Sequence, residues 1–317
     1  MITKPIPYGR QHITDEDIQC VIDALKSDYL TQGPKIKEFE EAFASYVGCK
    51  YAIAVNNATA ALHLAATALD VNPGDKVIVT PLTFAASANC IRYRGGEVVF
   101  CDVEEDTYLM DIKKLSRLLS QSPKGTYKGI VLVDFAGYPA NLEAFRQLAD
   151  EYGLWIIEDA CHAPGGYFID SKGEKQLCGN GNFADVSVFS FHPVKHIATG
   201  EGGMATTNCK ELYEKLCLYR THGITKNPAL LHENHGGWYY EMQELGYNYR
   251  ITDFQAALGI SQLKRADMGL ARRQEIARRY REGLSDLKGV KLPFVSDQVF
   301  HAYHLFIIQV EDRLGLY

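Results

Sequence analysis

The sequence predicts an α/β fold built on a mostly parallel sheet, and three observations carry that expectation. Apolar runs of strand length alternate with helix-length segments between residues 51 and 159. Runs such as "KVIVT" (76–80) and "GIVLVD" (129–134) have no polar–apolar alternation, so both faces of each strand must be covered. A chain of 317 residues that is 46% hydrophobic can bury a substantial core, as one large domain with an appendage or as two domains.

Taken in order, Thr14 followed by Asp15, Glu16 and Asp17 is a helix-start signal, and Ile18, Val21, Ile22 and Leu25 carry an amphipathic helix to about residue 27. "SDYLTQGP" breaks it, and a second helix is expected over 35–46. Strand 51–55, helix 58–69, strand 76–80, helix 84–93, strand 97–100, helix 111–120, strand 129–134, helix 141–152 and strand 154–159 follow. Two more strands flank "HPVKHIATGEGG", and a helix is expected at about 209–221. Residues 223–247, rich in Gly, His, Asn and Tyr, read as an irregular excursion. A single long helix is expected from Thr252 to about Leu284, and "HAYHLFIIQV" as a strand opening a new unit. The boundary is placed on the long helix, with a large domain over 1–265 and the start of a small one over 266–317.

Composition narrows the function. Lys plus Arg number 33 against 39 Asp plus Glu, a net charge of −6, and no basic run tracks a phosphate backbone; nucleic acid is a disfavoured partner. The apolar runs are too short to span a bilayer and the first residues lack a signal-peptide core, so a cytoplasmic protein with no membrane partner is expected. Eight cysteines (20, 49, 90, 101, 161, 178, 209, 217) without a C-x-x-C suit reduced thiols. "HENH" (232–235) offers two histidines but no second ligand pair at metal spacing; solvated loop histidines are expected and no metal.

In an open α/β sheet, ligands sit beyond the C-terminal ends of the strands. After "YAIAV" comes "NNATAALH", which puts small residues and a threonine hydroxyl at a helix start, where free N–H groups and the dipole favour a phosphate. There is no G-x-G-x-x-G, which speaks against a dinucleotide. Phe84 in "PLTFAASAN" offers a flat face or packs in the core. Asp159 ends a buried strand and either caps a helix or holds a proton on a heterocyclic nitrogen. Ser190 and Lys195 lie between two strands. A lysine there either sits enclosed, at a cost, or points from a hairpin into water, and the stretch alone leaves both open. Together these features describe a site for pyridoxal 5′-phosphate, with Lys195 as the imine-forming lysine.

The segments "LTQGP", "NNATAALHLA", "PLTFAASANC", "EDACHAPGG", "FSFHPVKHIATGEGG" and "LGYNYRITDFQAALGISQL" resemble the signatures of the DegT/DnrJ/EryC1/StrS sugar aminotransferases, in register from about residue 6 to the end. The resemblance implies the aspartate-aminotransferase type I fold, a three-layer α/β/α arrangement with a small C-terminal α+β domain. It implies Lys195 as the lysine bonded to the cofactor, Asp159 as the pyridinium partner and Phe84 as the stacking ring. Ala58, Thr59 and Ser190 would hold the phosphate, and His162 would lie on the side of the cofactor's 3′-oxygen. Asn248 would reach the phosphate in a neighbouring subunit, which implies a homodimer with shared sites. Tyr8, Asp28, Tyr29, Leu30 and Thr31 would line the sugar-nucleotide pocket, together with Ala58, Ser190 and Asn248.

The lysine segment is most similar to that of the members acting in pseudaminic acid synthesis. That implies amination of UDP-4-keto-6-deoxy-N-acetyl-L-altrosamine, with glutamate as the donor. Family members usually continue well past "VEDRLGLY", so most of the small domain is expected to be missing. Three rivals are set against this reading. A sugar dehydratase of the same fold carries histidine where Lys195 stands, a dehydrogenase would need the absent glycine fingerprint, and a non-catalytic binding protein would show no cofactor band responding to an amino donor.

Overall fold

The computed structural model describes residue 7 and residues 9–316. Helix α1 (Asp15–Leu25) starts on a reciprocal cap: Asp17 N–H donates to Thr14 Oγ1 (3.3 Å) and Thr14 N–H to Asp17 Oδ2 (3.0 Å). Helix α2 (Pro34–Val47) opens on a proline, whose missing N–H is no loss in a first turn. The alternation read from the sequence follows: β1 (Tyr51–Val55), α3 (Ala58–Ala68), β2 (Lys76–Val79), α4 (Ala86–Tyr93), β3 (Glu97–Phe100), α5 (Ile112–Ser120), β4 (Tyr127–Val133), α6 (Leu142–Tyr152) and β5 (Trp155–Asp159). A hairpin not expected from the sequence, β6 (Tyr167–Ile169) and β7 (Lys175–Leu177), precedes β8 (Val186–Ser190), β9 (Gly203–Thr207) and α7 (Lys210–Arg220). The excursion carries only the short pair β10 (Ile224–Thr225) and β11 (Glu241–Met242).

Seven strands form the main sheet in the order β1-β9-β8-β5-β4-β2-β3. The pairs β2–β3, β2–β4, β4–β5 and β5–β8 are parallel, and β9 runs antiparallel to both β1 and β8. Side-chain alternation splits the core. Ile53, Val55, Val79, Val131, Ile157 and Val188 pack with α3 and α4 on one face. On the other, Ala52, Ala54, Phe189 and Met204 meet Phe39 and Phe43 of α2, while Ile78, Ile130 and Ile156 meet Leu115 of α5 and Phe145 of α6. Every residue of α3 from Ala60 to Ala68 is buried, which explains a helix rich in alanine with no polar face. The result is three layers, helices on both faces of a mostly parallel sheet.

Two expectations fail towards the C-terminus. The long helix is two helices, α8 (Asp253–Leu263) and α9 (Ala266–Leu284). They part at Lys264 and Arg265, where the Arg265 guanidinium turns to His12 O (2.6 Å) and to the Asp17 carboxylate. The chain then passes through β12 (Val290–Lys291), β13 (Val299–Phe300), β14 (Gln309–Val310) and α10 (Arg313–Leu316). "HAYHLFIIQV" is therefore a strand only at its last two residues. Residues 302–305 instead satisfy their backbone against a loop: Ala302 N–H donates to Gly137 O (2.7 Å) and Leu305 N–H to Ala136 O (3.1 Å). Among the described residues no helix is long and apolar enough to cross a membrane.

Candidate active site

Lys195 stands on the connection from β8 to β9, and aromatic packing fixes where that connection starts. Phe189 and Phe191 are fully buried, their rings 4.9 Å from Phe43 and 5.0 Å from Phe39. Phe191 N–H donates to Gly202 O and Thr199 N–H to Phe191 O, each at 2.9 Å, so the lysine loop is closed at its base. Lys195 is half-buried, not extended into water. Burial pushes its amine below the usual lysine range, opposed by Cys161 and Asp159.

Asp159, at the end of β5, is buried. Its Oδ2 accepts from Ser87 Oγ (2.6 Å) and its Oδ1 from Cys161 N–H (3.2 Å). Ser87 is in turn 2.7 Å from Thr83 Oγ1, beside Phe84, whose ring is 75% exposed and free to meet a ligand or a partner. His162 Nδ1 accepts Ala136 N–H (3.2 Å), which places the proton of the neutral ring on Nε2. Burial, reinforced by Lys195 and His196, pushes His162 down to about 3, so the ring is neutral near pH 7. The ring of His304 stacks on it at 4.3 Å and 28°.

The start of α3 is the expected anion cradle. Asn57 Oδ1 accepts Ala60 N–H (2.8 Å), and Ala58 and Thr59 form a half-buried first turn. Gly203 lies against it: a Cβ there would sit 2.5 Å from the Asn57 carbonyl carbon and 2.6 Å from Ala58 N, so only glycine lets β9 come this close. Ser190 is buried at the end of β8. An open helix start, a hydrogen-bonded acid at a strand end and an enclosed amine suit the phosphate, ring nitrogen and aldehyde of pyridoxal 5′-phosphate, so the residues present fit that group.

Asn248 is exposed on the segment leaving the excursion, paired in a bridge with Thr221. The next residue places this segment beside the cradle, because Tyr249 O accepts Asn56 N–H (2.9 Å). Asp28, Tyr29, Leu30 and Thr31 are all exposed. Their loop is stapled to the start of α8: Thr31 bridges Thr252, Asp253 N–H donates to Leu30 O (3.0 Å), and both Asp253 oxygens accept Gly33 N–H (2.9 and 2.8 Å). Gln255, one turn on, donates to Glu201 O (2.9 Å) in the lysine loop. Tyr8 lies outside the described residues.

The sequence reading missed Ser87, Asn57, Asp253 and His304. Asn57 carried a signal, being a cap residue just before an apolar helix, and so did Thr252-x-x-Gln255, a capping box. Nothing local marked Ser87 or His304.

On the opposite face of β5, Glu158 is buried with Asp134 and Cys178, the one group of ligand-type side chains close enough to hold an ion among the described residues. Asp134 Oδ1 accepts Ala140 N–H (2.8 Å) and Glu158 Oε2 accepts Gly179 N–H (3.0 Å). Burial pushes Asp134 well above the carboxylate range, and the Glu158 charge adds to it; Glu158 is also raised by burial. A shared proton accounts for this pair. His232 and His235 are held by Glu241 (2.8 Å) and Glu233 (2.7 Å) on the surface.

Residues 11–315 match the DegT/DnrJ/EryC1/StrS aminotransferase family. The chain is 43% identical over 276 residues, 87% of its length and 68% of the relative's, to the UDP-4-amino-4,6-dideoxy-N-acetyl-β-L-altrosamine transaminase of Campylobacter jejuni serotype O:23/36. Its structure resembles that of Helicobacter pylori PseC, an aminotransferase involved in the biosynthesis of pseudoaminic acid, with TM-score 0.85 at 32% identity over 99% of this chain and 80% of that one. It also resembles the PLP-form of Spr1654 from Streptococcus pneumoniae, with TM-score 0.85 at 31% identity over 97% and 79%.

Proposed function

We propose, from the premise that this chain belongs to the DegT/DnrJ/EryC1/StrS aminotransferase family, that it aminates a UDP-linked 4-keto-6-deoxy N-acetyl sugar of the altrosamine type with glutamate as donor. The chain is a pyridoxal phosphate-dependent sugar aminotransferase. The observation that carries the reading is the half-buried Lys195 on the loop between β8 and β9, whose charge is felt by His162 and which itself feels the Asp159 carboxylate.

Pyridoxal phosphate, when bound, supplies an aldehyde that condenses with amines and a ring that accepts electrons. Lys195 would anchor the aldehyde at rest. Burial lowers its amine from the usual lysine range, which would suit it to hold or pass on a proton at Nζ beside the bound cofactor. Asp159, fixed by Ser87 and the Cys161 N–H, would hold a proton on the ring nitrogen. The first turn of α3, with Ala58 and Thr59, and Ser190 would bind the phosphate, while Phe84 would cover one ring face. His162 would offer its Nε2–H to the 3′-oxygen. The loop of Asp28, Tyr29, Leu30 and Thr31 would receive the sugar nucleotide with Tyr8, and Ala58, Ser190 and Asn248 would border the same pocket.

Asn248 is assigned to the phosphate of a second copy, in a homodimer with shared sites. Its exposure, and that of Phe84, Trp238 (73%) and Leu245 (78%), supports a covered face. The same reading divides the chain at residue 265, where α8 gives way to α9, and places it in the cytoplasm, in keeping with eight free cysteines.

The test is incubation of the purified chain with pyridoxal phosphate, glutamate and a panel of nucleotide 4-keto-6-deoxy sugars. The amino sugar is expected by mass from the UDP-altrosamine-type ketone. Amination of a different sugar alone overturns the substrate, and a cofactor band that survives in Lys195→Ala overturns the lysine's role.

A further inference from the structure

His304 lies outside every segment that marked the site in the sequence, yet its ring lies flat against His162 at 4.3 Å and 5.9 Å from the ring of His196. Its segment is held from several sides. Arg273 donates to Tyr303 O (3.0 Å), His196 Nε2 meets Ala302 O (2.9 Å), and Ala302 and Leu305 donate to Gly137 and Ala136. Ala136 is the pivot. Its backbone is in the left-handed region at φ 61°, a conformation unusual for alanine. In that conformation its N–H holds His162 Nδ1 and its C=O holds Leu305, one residue beyond His304. Both imidazoles are thus referenced to one residue, and the plane of His162 is fixed by an edge contact and a face contact together.

His162 Nε2, which carries the ring proton, has no hydrogen-bond partner among the described residues and is not sealed in the core. An N–H so placed favours an incoming acceptor.

We infer that His304 is a positioning residue of the cofactor site: stacked on His162, it fixes the plane in which Nε2–H meets the cofactor oxygen, and so sets how readily the Lys195-linked cofactor gives up its proton. The inference rests on the reading of His162 given above. The groups that face His304 are His162, Lys195, His196 and Arg273, and all of these can carry positive charge. A neutral, flat ring is the form that suits this place. Burial and those neighbours hold His304 in it.

The test is a pH titration of the absorbance of the Lys195-linked cofactor in the holoenzyme, read without substrate. A donor on the 3′-oxygen stabilises its anion and weakens its hold on the linkage proton. Loss of that donor therefore raises the midpoint, by about one pH unit for one charge-assisted hydrogen bond. His162→Ala and His304→Ala should both raise it, His304→Phe should return it most of the way by restoring a flat face, and the double variant should move no further than His162→Ala alone. Should His304→Ala fail to fold, His304→Leu, which keeps the volume without the flat face, carries the same expectation. A wild-type midpoint in the folded His304 variant, or shifts that simply add in the double variant, overturns the inference. Lys195→Ala is the separate control: loss of its band leaves the lysine assignment standing whatever His304 does.

Discussion

Glu158 and Asp159 are consecutive on β5 and both buried, but alternation sends them to opposite faces of the sheet. On the α4 face, Asp159 meets donors, the Ser87 hydroxyl and the Cys161 N–H. Glu158, on the other face, meets a second carboxyl, Asp134, and a thiol, Cys178. Burial is common to the two. What separates them is the company: Asp159 meets two hydrogen-bond donors, whereas Glu158, besides the Gly179 N–H, meets a second acid, and two acids in contact favour a shared proton. Of the two, the carboxylate oriented by donors alone is the better candidate for binding a protonated ring nitrogen.

The contrast is broken most severely at Asp159. Asp159→Ala should keep the fold and lower kcat on the order of 100-fold or more, since a single preorganised charge at a reacting system contributes on that scale; Glu158→Gln, one residue away, should stay within about threefold in the same assay. Full activity in Asp159→Ala would equate the two faces. Stability should show the reverse order. Glu158→Ala removes a buried side chain and strands the Gly179 N–H and Asp134, a loss of about 2–4 kcal/mol by denaturant unfolding.

The proton in the pair gives a sign that can be checked. A carboxyl raised in the folded state binds its proton more tightly there than in the unfolded chain. Asp134 therefore contributes stability below its ordinary value of 3.8 and loses it as pH rises from there towards the folded value. Asp134→Asn has no such proton to lose. Its stability relative to wild type should climb steadily from about pH 4 upwards until the folded carboxyl ionises, and a difference constant across that range would exclude the shared proton. The smallest effect is expected at the cradle. Asn57→Ala removes the cap of α3 and should lower stability by about 1 kcal/mol, with weaker cofactor retention measured by dialysis.

The sheet was legible because its parallel strands carry apolar runs and its helices open on recognisable caps; Thr14, Asn57 and Thr252 each stand where the sequence placed a helix start. The residues proposed for the cofactor site were legible for a related reason. They sit at strand ends and on one loop, where position along the chain predicts position in space. Ser87 and His304 were not, since each acts through a partner far away in sequence, Asp159 and His162. The break between α8 and α9 was hidden because "LKRADMGL" has no proline or strong breaker; a tertiary bond from Arg265 to Asp17 decides it. The segment 301–308 reads as a strand by composition, but its backbone partners are a loop and side chains, which no periodicity announces.

The antiparallel β9 gives the N-terminal strand a long wait. Tyr51 faces Thr207, and β1 has no other neighbour in the sheet. On a ribosome, about 8–30 seconds of synthesis separate the two at ordinary elongation rates. During that interval β1 is an unpaired apolar edge, open to wrong pairing with other nascent chains. Gly203 meets Asn57 and Ala58 at the start of α3 only when β9 closes, so a phosphate site proposed there would be completed late in synthesis. Cofactor supply should therefore protect the finished protein from unfolding while doing little for the yield of chains arrested before residue 203.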